Sequence, residues 1–306
     1  MNDRRARAKT ASGFDVWGCR GSRSFPPQRS AVGNHTSCYS LHHGDDVFVF
    51  DAGRGLLALS DAMRRQPRFR SVKRVHVLVS HAHLDHWEGL KDADWFWRKR
   101  NGLDIHILGT REALRAIRTA YSHPLYVALE LLAASTVRRV TYEALRAGER
   151  RRIRGFRLRT EALNHYSGEP HAPRRLDTLG YNLAAPDGAA VAYVSDHEPT
   201  SGTRAAESRL LEGAQVAVID AHFTDVRHHA HGHGSQQHAA QLARANPGVL
   251  VLAGHHGPTL TDGAIRAAHR RHGRGVTNFA LAIEGSSYLW KARRRAFVPR
   301  RSRRSS

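Results

Sequence analysis

The stretch "VSHAHLDHWEGL" (residues 79–90) brings three imidazoles and one carboxylate into six consecutive positions. It follows the apolar run "VHVLV" (residues 75–79), which is typical of a buried strand. His81 and His83 are two positions apart, so an extended chain directs both side chains to the same side. Asp85 and His86 then open a predicted helix and point back across the same opening. Packing gives no reason for such a cluster, and the segment therefore predicts a site for two metal ions.

Polar side chains also follow three later apolar segments. His165 ends "RTEALNH", Asp196 ends "AAVAYVSD" and His255 ends "GVLVLAGH". The ends of buried strands are positions from which a rigid scaffold presents functional side chains. One histidine among the 22 of this chain is more often structural than functional, so the evidence is the set as a whole. His171, in "YSGEPHAP", competes with His165 for the same role but lies in a less rigid, proline-flanked loop.

The length of the chain is enough for one large domain or two fused halves. It has 306 residues, of which 41% are hydrophobic, so it can bury a substantial core. We expect a flexible basic N-terminus over residues 1–12, a catalytic domain over residues 13–290 and a disordered arginine-rich tail over residues 291–306. The tail contains no acidic residue, which is typical of a disordered segment.

Cysteine usage and hydropathy indicate in which cellular compartment the protein is expected. Cys19 and Cys38 are the only cysteines, too few for a disulfide framework or a thiolate zinc site, so a metal must be held by imidazoles and carboxylates. No apolar stretch follows the basic N-terminus, and no run of about 18 apolar residues occurs anywhere in the chain. We expect a cytoplasmic protein without a membrane partner.

The charge balance is strongly basic. Lys and Arg number 48 against 27 Asp and Glu, a net charge of +21 that concentrates anionic substrates around the protein. Much of the excess lies in "RRARAK" (4–9), "GERRRIRGFRLR" (148–159) and "KARRRAFVPRRSRRSS" (291–306). These segments are consistent with nucleic-acid binding and equally with the solvated faces of an arginine-rich protein, and the sequence leaves both interpretations open.

The order of the predicted elements indicates the fold. A β-meander from Phe14 leads to the histidine-rich stretch, which is followed by a predicted helix over residues 86–102. A strand, "DIHILG", and further helical segments come next, and the second half repeats the pattern with helices over residues 235–246 and 262–273. Two strand-rich halves that each carry helices on the outside predict a four-layer αββα sandwich with two mixed sheets face to face.

The motif formed by His81, His83, Asp85 and His86, HxHxDH, resembles the signature of the metallo-β-lactamase fold superfamily, and the resemblance extends from about residue 14 to residue 290. Four further landmarks match in order: Asp51, His165, Asp196 and His255. The segments "WGCRGS", "HTSCYSL" and "FDAGRGL" resemble the branch that holds ribonuclease Z and the phosphodiesterases of small cyclic phosphates or cyclic nucleotides. The loop "GNHTSC" departs from that branch, with His35 at the position of an expected asparagine.

The resemblance implies a ligand set for two divalent metal ions. One ion is implied to bind His81, His83 and His165, the other Asp85, His86 and His255, with Asp196 bridging the two. Imidazole and carboxylate ligands suit Zn²⁺ best and also suit Mn²⁺ or Fe. A water shared by two such cations becomes a hydroxide nucleophile near neutral pH, so Asp85 counts among the catalytic residues as well. Asp51 is expected behind the ligands, orienting a ligand histidine.

A proton donor is also implied. Asp220 and His233 stand where the ribonuclease Z branch carries an acidic residue and a histidine, and this pair would protonate the departing alkoxide. An alternative is that the histidine-rich stretch 222–233 is a solvated loop that binds metal adventitiously. His256 is expected to face the site, where it could contact a phosphate.

The sequence therefore predicts a dinuclear metal-dependent hydrolase, specifically a phosphodiesterase that cleaves a small cyclic phosphate or cyclic nucleotide with a metal-bridged hydroxide. Its expected partner is a small anionic phosphodiester, and a homodimer is left open. An RNA 3′-processing endonuclease is the first alternative, favoured by the charge but lacking a long Gly/Pro-rich arm for binding tRNA. A lactonase or thioesterase is another, because the fold does not fix the electrophile. A non-catalytic nucleotide sensor is the least favoured, since the ligand set is intact.

Overall fold

The computed structural model describes residues 11–26, 29–97, 102–134, 137–169, 172–226 and 232–300. Within these ranges the chain forms two large sheets and a separate hairpin. The hairpin consists of β9 (Tyr166–Glu169) and β10 (Ala172–Arg175).

The first sheet contains eight strands. They are β1 (Gly13–Gly18), β2 (Cys38–His43), β3 (Asp46–Phe50), β4 (Arg74–Val79), β5 (Asp104–Gly109), β6 (Arg139–Ala144), β16 (Ser287–Lys291) and β17 (Ala296–Pro299). Their order in the sheet is β17-β16-β1-β2-β3-β4-β5-β6. Strands β3 to β6 are parallel, so their carboxyl ends meet at one edge.

The second sheet contains seven strands. They are β7 (Arg150–Ile153), β8 (Phe156–Ala162), β11 (Leu179–Ala184), β12 (Ala190–Val194), β13 (Val216–Asp220), β14 (Leu250–Gly254) and β15 (Phe279–Leu281). Their order is β15-β14-β13-β12-β11-β8-β7. Strands β12 to β15 are parallel, and β8 and β12 both run antiparallel to β11. The carboxyl ends of β8, β12, β13 and β14 therefore lie at the same edge.

Six α-helices are described: α1 (Gly55–Arg65), α2 (Arg111–Ala120), α3 (Leu129–Ala133), α4 (Arg204–Leu211), α5 (Gln236–Ala245) and α6 (Asp262–His272). Three of them begin at a hydroxyl cap. The side chains of Thr110, Ser235 and Thr261 accept the backbone N–H three residues later, which satisfies a donor that the first turn leaves free. None of the helices that the structure describes has the length and hydropathy of a membrane-spanning segment.

The two sheets pack face to face. Aromatic rings meet between them: the centroids of Phe48 and Phe156 are 4.5 Å apart, and those of Tyr39 and Tyr193 are 5.6 Å apart. Residues of α4 and α5 join this core from the outside of the second sheet, whereas α1, α2 and α3 form a second apolar cluster on the outside of the first. The αββα sandwich predicted from the sequence is confirmed.

The helix predicted over residues 86–102 is wrong where the structure describes it. Three short 3-10 helices replace it: Leu84–His86, Glu88–Asp92 and Asp94–Phe96. Trp87 interrupts the helical path with φ −149° and ψ 0°. Gly89 packs so closely on the loop after β3 that a Cβ would lie 2.2 Å from the Gly53 carbonyl oxygen. Packing against that loop overrides the helical pattern.

The domain boundaries also need correction. Residues 291–300, predicted to belong to a disordered tail, extend the first sheet through β17, whose Phe297 ring packs 5.4 Å from that of Trp290. At the other end, Ser12 was predicted to be flexible but is buried and donates its backbone N–H to Asp187. The remainder of both terminal segments, residues 1–10 and 301–306, lies outside the described residues.

Candidate metal centre

The edge at which the carboxyl ends of both sheets meet gathers the ligands predicted from the sequence. Asp196 follows β12 and lies at the centre of the group. The donor atoms of His81, His83, His165 and Asp196 all lie within 4.8 Å of one another, as do those of Asp85, His86 and His255. The structure thus brings all seven predicted ligands together in the two predicted sets.

The two oxygens of the Asp196 carboxylate face different sets. Its Oδ2 lies 3.5 Å from His165 Nε2 and 3.7 Å from His81 Nε2. Its Oδ1 lies 3.0 Å from His255 Nδ1 and 3.3 Å from His86 Nε2. This is the arrangement expected of a carboxylate that bridges two ions.

The backbone turns sharply where it delivers these side chains. Asp51, Asp196 and His255, each just after a strand, have φ of 56°, 52° and 51°, in the left-handed region that costs a non-glycine residue roughly 1–2 kcal/mol. Backbone strain of this kind concentrates at functional sites. Gly21 makes room for one ligand, because a Cβ there would lie 2.4 Å from His255 Nε2.

Residues behind the ligands fix their orientation. Asp51 Oδ2 lies 2.6 Å from His86 Nδ1 and accepts hydrogen bonds from the hydroxyls of Ser80 and Tyr193. The Gly232 carbonyl lies 2.8 Å from His165 Nδ1, which leaves Nε2 of that ring directed at Asp196. Sequence reasoning identified Asp51 but missed Ser80 and Tyr193. Tyr193 is 142 positions from Asp51 along the chain, and no local pattern reports such a contact.

Burial and charge set the protonation of the group. Burial lowers the pKa of His83 and lowers that of His165 to about 4, so both rings are neutral, the form that binds metals. Burial also disfavours charge on His86, but Asp196, Asp85 and Asp51 outweigh it and raise the pKa of that ring. A positive charge is therefore favourable among these carboxylates.

The donor set fits divalent cations. The Nε2 atoms of His81 and His86, which face Asp196, are buried and make no hydrogen bond within the described residues. Unsatisfied buried nitrogens are costly, and coordination would satisfy them. In addition, no lysine or arginine of the described residues forms an ion pair with a carboxylate of the centre. Imidazoles with carboxylates form the ligand set that Zn²⁺, Mn²⁺ and Fe accept.

His233 and Asp220 lie directly beside this group. His233 Nδ1 is 3.1 Å from Asp220 Oδ2 and 3.9 Å from Asp196 Oδ2. Burial opposes protonation of His233, but Asp220 and Asp196 prevail and raise its pKa to about 9. Asp220 also accepts the backbone N–H groups of His197, His222 and Gly234, so it holds the loop that carries His233.

The histidine-rich stretch has one further member in the site. The His222 ring stacks on His233 with centroids 4.0 Å apart, and the nitrogens of these two rings and of His255 lie within 4.8 Å of one another. His233 is therefore near enough to act as a ligand as well as a proton donor. Residues 227–231, which contain the other histidines of the stretch, and His171 lie outside the described residues.

His256 was predicted to face the site. Its side chain is completely buried, its backbone bridges to Arg20, and it belongs to none of the donor groups. Arg20 is also the charged group that most affects its pKa, which burial lowers to about 3. The contact of His256 with a phosphate stays a prediction.

Comparison with known proteins agrees with this architecture. Residues 47–256 match the family described as "Beta-lactamase superfamily domain". The chain belongs to the beta-lactamase superfamily. The matched region contains every ligand of the candidate metal centre, and the predicted metallo-β-lactamase fold of a metal-dependent hydrolase is confirmed. No curated protein matches the sequence significantly.

Several solved structures with a similar fold align along most of the chain. The metallo-beta-lactamase fold protein YhfI from Bacillus subtilis has a TM-score of 0.64 and 16% identity, and the alignment covers 92% of this chain and 99% of YhfI. A diphosphatase from the PhnP family has a TM-score of 0.59 and 16% identity, and the alignment covers 90% of this chain and 96% of the diphosphatase. The short form of human tRNase Z has a TM-score of 0.56 and 15% identity, and the alignment covers 90% of this chain and 98% of tRNase Z. At these identities the likeness concerns the fold alone.

Proposed function

We propose that this protein is a dinuclear metal-dependent phosphodiesterase that cleaves a small phosphodiester, either a cyclic phosphate or a cyclic nucleotide. The observation that carries the proposal is the pair of His233 and Asp220 beside the two donor sets. Hydrolysis of a phosphodiester expels an alkoxide, which leaves poorly unless a positioned group protonates it. Such a donor adjacent to the centre favours this class of reaction over cleavage of esters with good leaving groups.

The metal ligands supply one part of the chemistry. Two divalent cations, for which Zn²⁺ is our first choice, would polarise the phosphoryl oxygens and lower the pKa of a water. His81, His83 and His165 would hold the first ion. Asp85, His86 and His255 would hold the second. The hydrogen bond from Asp51 keeps the His86 ring turned so that Nε2 faces Asp196.

The proton would come from His233. Asp220 Oδ2 accepts a hydrogen bond from Nδ1 of this ring, so the proton that the ring can give away is the one on Nε2. Asp220 is the positioning residue, since three backbone N–H groups fix it in turn. The same contacts keep Asp220 from acting as a proton donor itself.

Structural neighbours and cysteine chemistry lend support to parts of this proposal. The likeness in fold to a diphosphatase and to tRNase Z makes phosphate esters the first substrates to test. Cys19 and Cys38 are both buried free thiols, which is consistent with our proposal of a reducing, cytoplasmic location. An RNA 3′-processing endonuclease is the second candidate, favoured by an arginine-lined groove described below.

The first test is a substrate panel for the metal-loaded protein. The panel contains bis-p-nitrophenyl phosphate, cyclic nucleotides, a small cyclic phosphate, a tRNA precursor and a lactone. We expect turnover of the small diesters. Turnover of the lactone with no activity on any phosphodiester would refute the proposal, and selective cleavage of the tRNA precursor would favour the endonuclease.

The second test separates the metals from the proton donor. The His233→Ala variant should keep its metals and lose about 10²–10⁴-fold in rate on a diester with an alkoxide leaving group. It should cleave a p-nitrophenyl diester almost normally, because p-nitrophenolate needs no proton to leave. His106→Ala, on β5 and hydrogen-bonded to Thr141, is the matched control and should change neither rate. Loss of a metal from His233→Ala, or equal losses on both substrates, would contradict the assignment.

A further inference from the structure

An arginine groove lies at the end of the second sheet opposite to the metal centre. Arg150 and Arg152 of β7 are directly opposite Arg159 and Arg157 of β8, so these four residues share one face of the sheet. Together with Arg295, from the turn before β17, they line a hollow of about 600 Å³. These five residues define the arginine groove.

The groove has little negative charge to balance it. Glu212 is the one acidic residue among the described residues that line the groove, and it accepts a hydrogen bond from Arg159 at 2.7 Å. Within the described part of the chain, no ion pair or side-chain hydrogen bond is formed by Arg150, Arg152, Arg157 or Arg295. Like charges directly opposite each other on paired strands are destabilising. An anion bound in the groove would neutralise these charges and remove the repulsion.

Neighbouring charges on the same face are paired, which makes the groove distinctive. Glu161, later in β8, receives two hydrogen bonds from Arg209 of α4, at 2.8 and 2.9 Å. Helix α4 packs on that part of the strand. The unbalanced arginines therefore lie beyond the part of β8 on which α4 packs.

The groove is separate from the metal centre. Arg157 and Arg159 lie at the start of β8, whereas His165 follows its end. Ala184 and Ala190, which also line the groove, flank the turn between β11 and β12, at the end of β12 opposite to Asp196. A small diester bound at the metal centre would not reach these arginines.

We propose that the arginine groove binds the phosphate backbone of a double-stranded nucleic acid, independently of its sequence. Guanidinium groups form paired hydrogen bonds with phosphates, and arginines two positions apart on a strand present them about 6.6 Å from each other. The groove can therefore contact several phosphates of one backbone. This inference does not depend on the proposed phosphodiesterase activity.

The rest of the lining favours a duplex over a single strand. None of the described lining residues is aromatic, so the groove lacks the stacking platforms that single-strand binders use. Its two amide side chains are already engaged: Asn182 donates to backbone carbonyls at 2.6 and 3.2 Å, and Gln215 accepts the backbone N–H of Ala190. Neither amide of the described lining is free to contact a base, and arginines that bind phosphates carry no sequence information, which suits contact with the backbone of a duplex.

The test is a fluorescence anisotropy titration of the full chain with a labelled 20-base-pair duplex RNA over a range of salt concentrations. The test variant is Arg152→Gln/Arg157→Gln, and the matched control is Arg266→Gln/Arg270→Gln, which removes the same charge from exposed positions of α6. We expect the groove variant to bind about tenfold more weakly at low salt, with a salt slope reduced by about two. The control should keep the wild-type slope, and both variants should turn over a small diester normally.

The remaining outcomes oppose the proposal. Equal losses in both variants would show that total charge and not the groove binds RNA. Tighter binding of a single strand with the same length and label would contradict the preference for a duplex. Displacement of the duplex by micromolar inorganic tripolyphosphate would identify the groove as a site for small polyphosphates. Absence of duplex binding by the wild-type chain at low salt would overturn the inference altogether.

Discussion

The two ends of the second sheet carry unbalanced charge of opposite sign. At the metal centre, Asp85 and Asp196 form ion pairs with histidines, and no lysine or arginine of the described residues joins them. At the arginine groove, Arg152 and Arg157 face each other with no acidic partner within the described residues. Between the two ends, Glu161 and Arg209 neutralise each other. We interpret each unbalanced end as the place where a ligand of opposite charge completes the structure.

The largest effect should come from the carboxylate between the two donor sets. Asp196→Ala removes the group shared by both sets, so we expect the metal content to fall from two ions per chain and activity to fall about 10³-fold or more. Elemental analysis of protein purified without chelator, together with turnover of a small diester, measures both. Asp61→Ala, on the exposed face of α1, is the control and should keep both values. A wild-type content of one ion with full activity would contradict a bridged centre.

A smaller effect is expected behind the ligands. Asp51→Asn replaces the carboxylate that accepts from His86, so the ring loses its orientation and metal affinity should fall about 10–100-fold. Competition with a chelator of known affinity measures the change. Tyr193→Phe removes one hydrogen bond to Asp51 and should weaken metal binding less. If Asp51→Asn binds both metals as tightly as the wild type, Asp51 serves the fold and not the centre.

The sequence predicted which donor residues lie together, because several of them follow apolar strands. A polar residue directly after a buried strand, such as His255 after β14, marks the edge of a sheet without knowledge of the rest of the fold.

Other features depend on contacts that no local pattern contains. Residues 291–300 look disordered because they are rich in arginine, yet Phe297 is buried against Trp290 once β16 and β17 pair. The arginine groove is similar, because it needs the register of β7 and β8 and the return of Arg295 from the far end of the chain. The sequence showed a basic segment at 148–159 but not which of its arginines share a face.

The smallest expected effect tests the unbalanced charge of the groove through stability. Arg152→Gln removes one member of a directly opposed pair of like charges, a change worth roughly 0.2–0.5 kcal/mol, so Tm should rise by about 1 °C at low salt. The rise should vanish in 1 M salt, where the Debye length is about 3 Å. Differential scanning calorimetry at the two salt concentrations measures both values.

The neighbouring arginine provides the control that isolates this local effect. Arg151→Gln removes the same charge from the next position of β7, which also borders the hollow, but Arg151 has acidic partners: it pairs with Glu143 at 2.5 Å and Glu149 at 2.7 Å. Each substitution lowers the net charge of +21 by one, and this general effect raises Tm equally in both variants. The difference in Tm between the two variants therefore depends only on the charges that neighbour each arginine. We expect the Tm of Arg151→Gln to be lower than the Tm of Arg152→Gln at low salt. Equal shifts would mean that Arg152 and Arg157 are fully screened by water, and the groove would then need no anion for its stability.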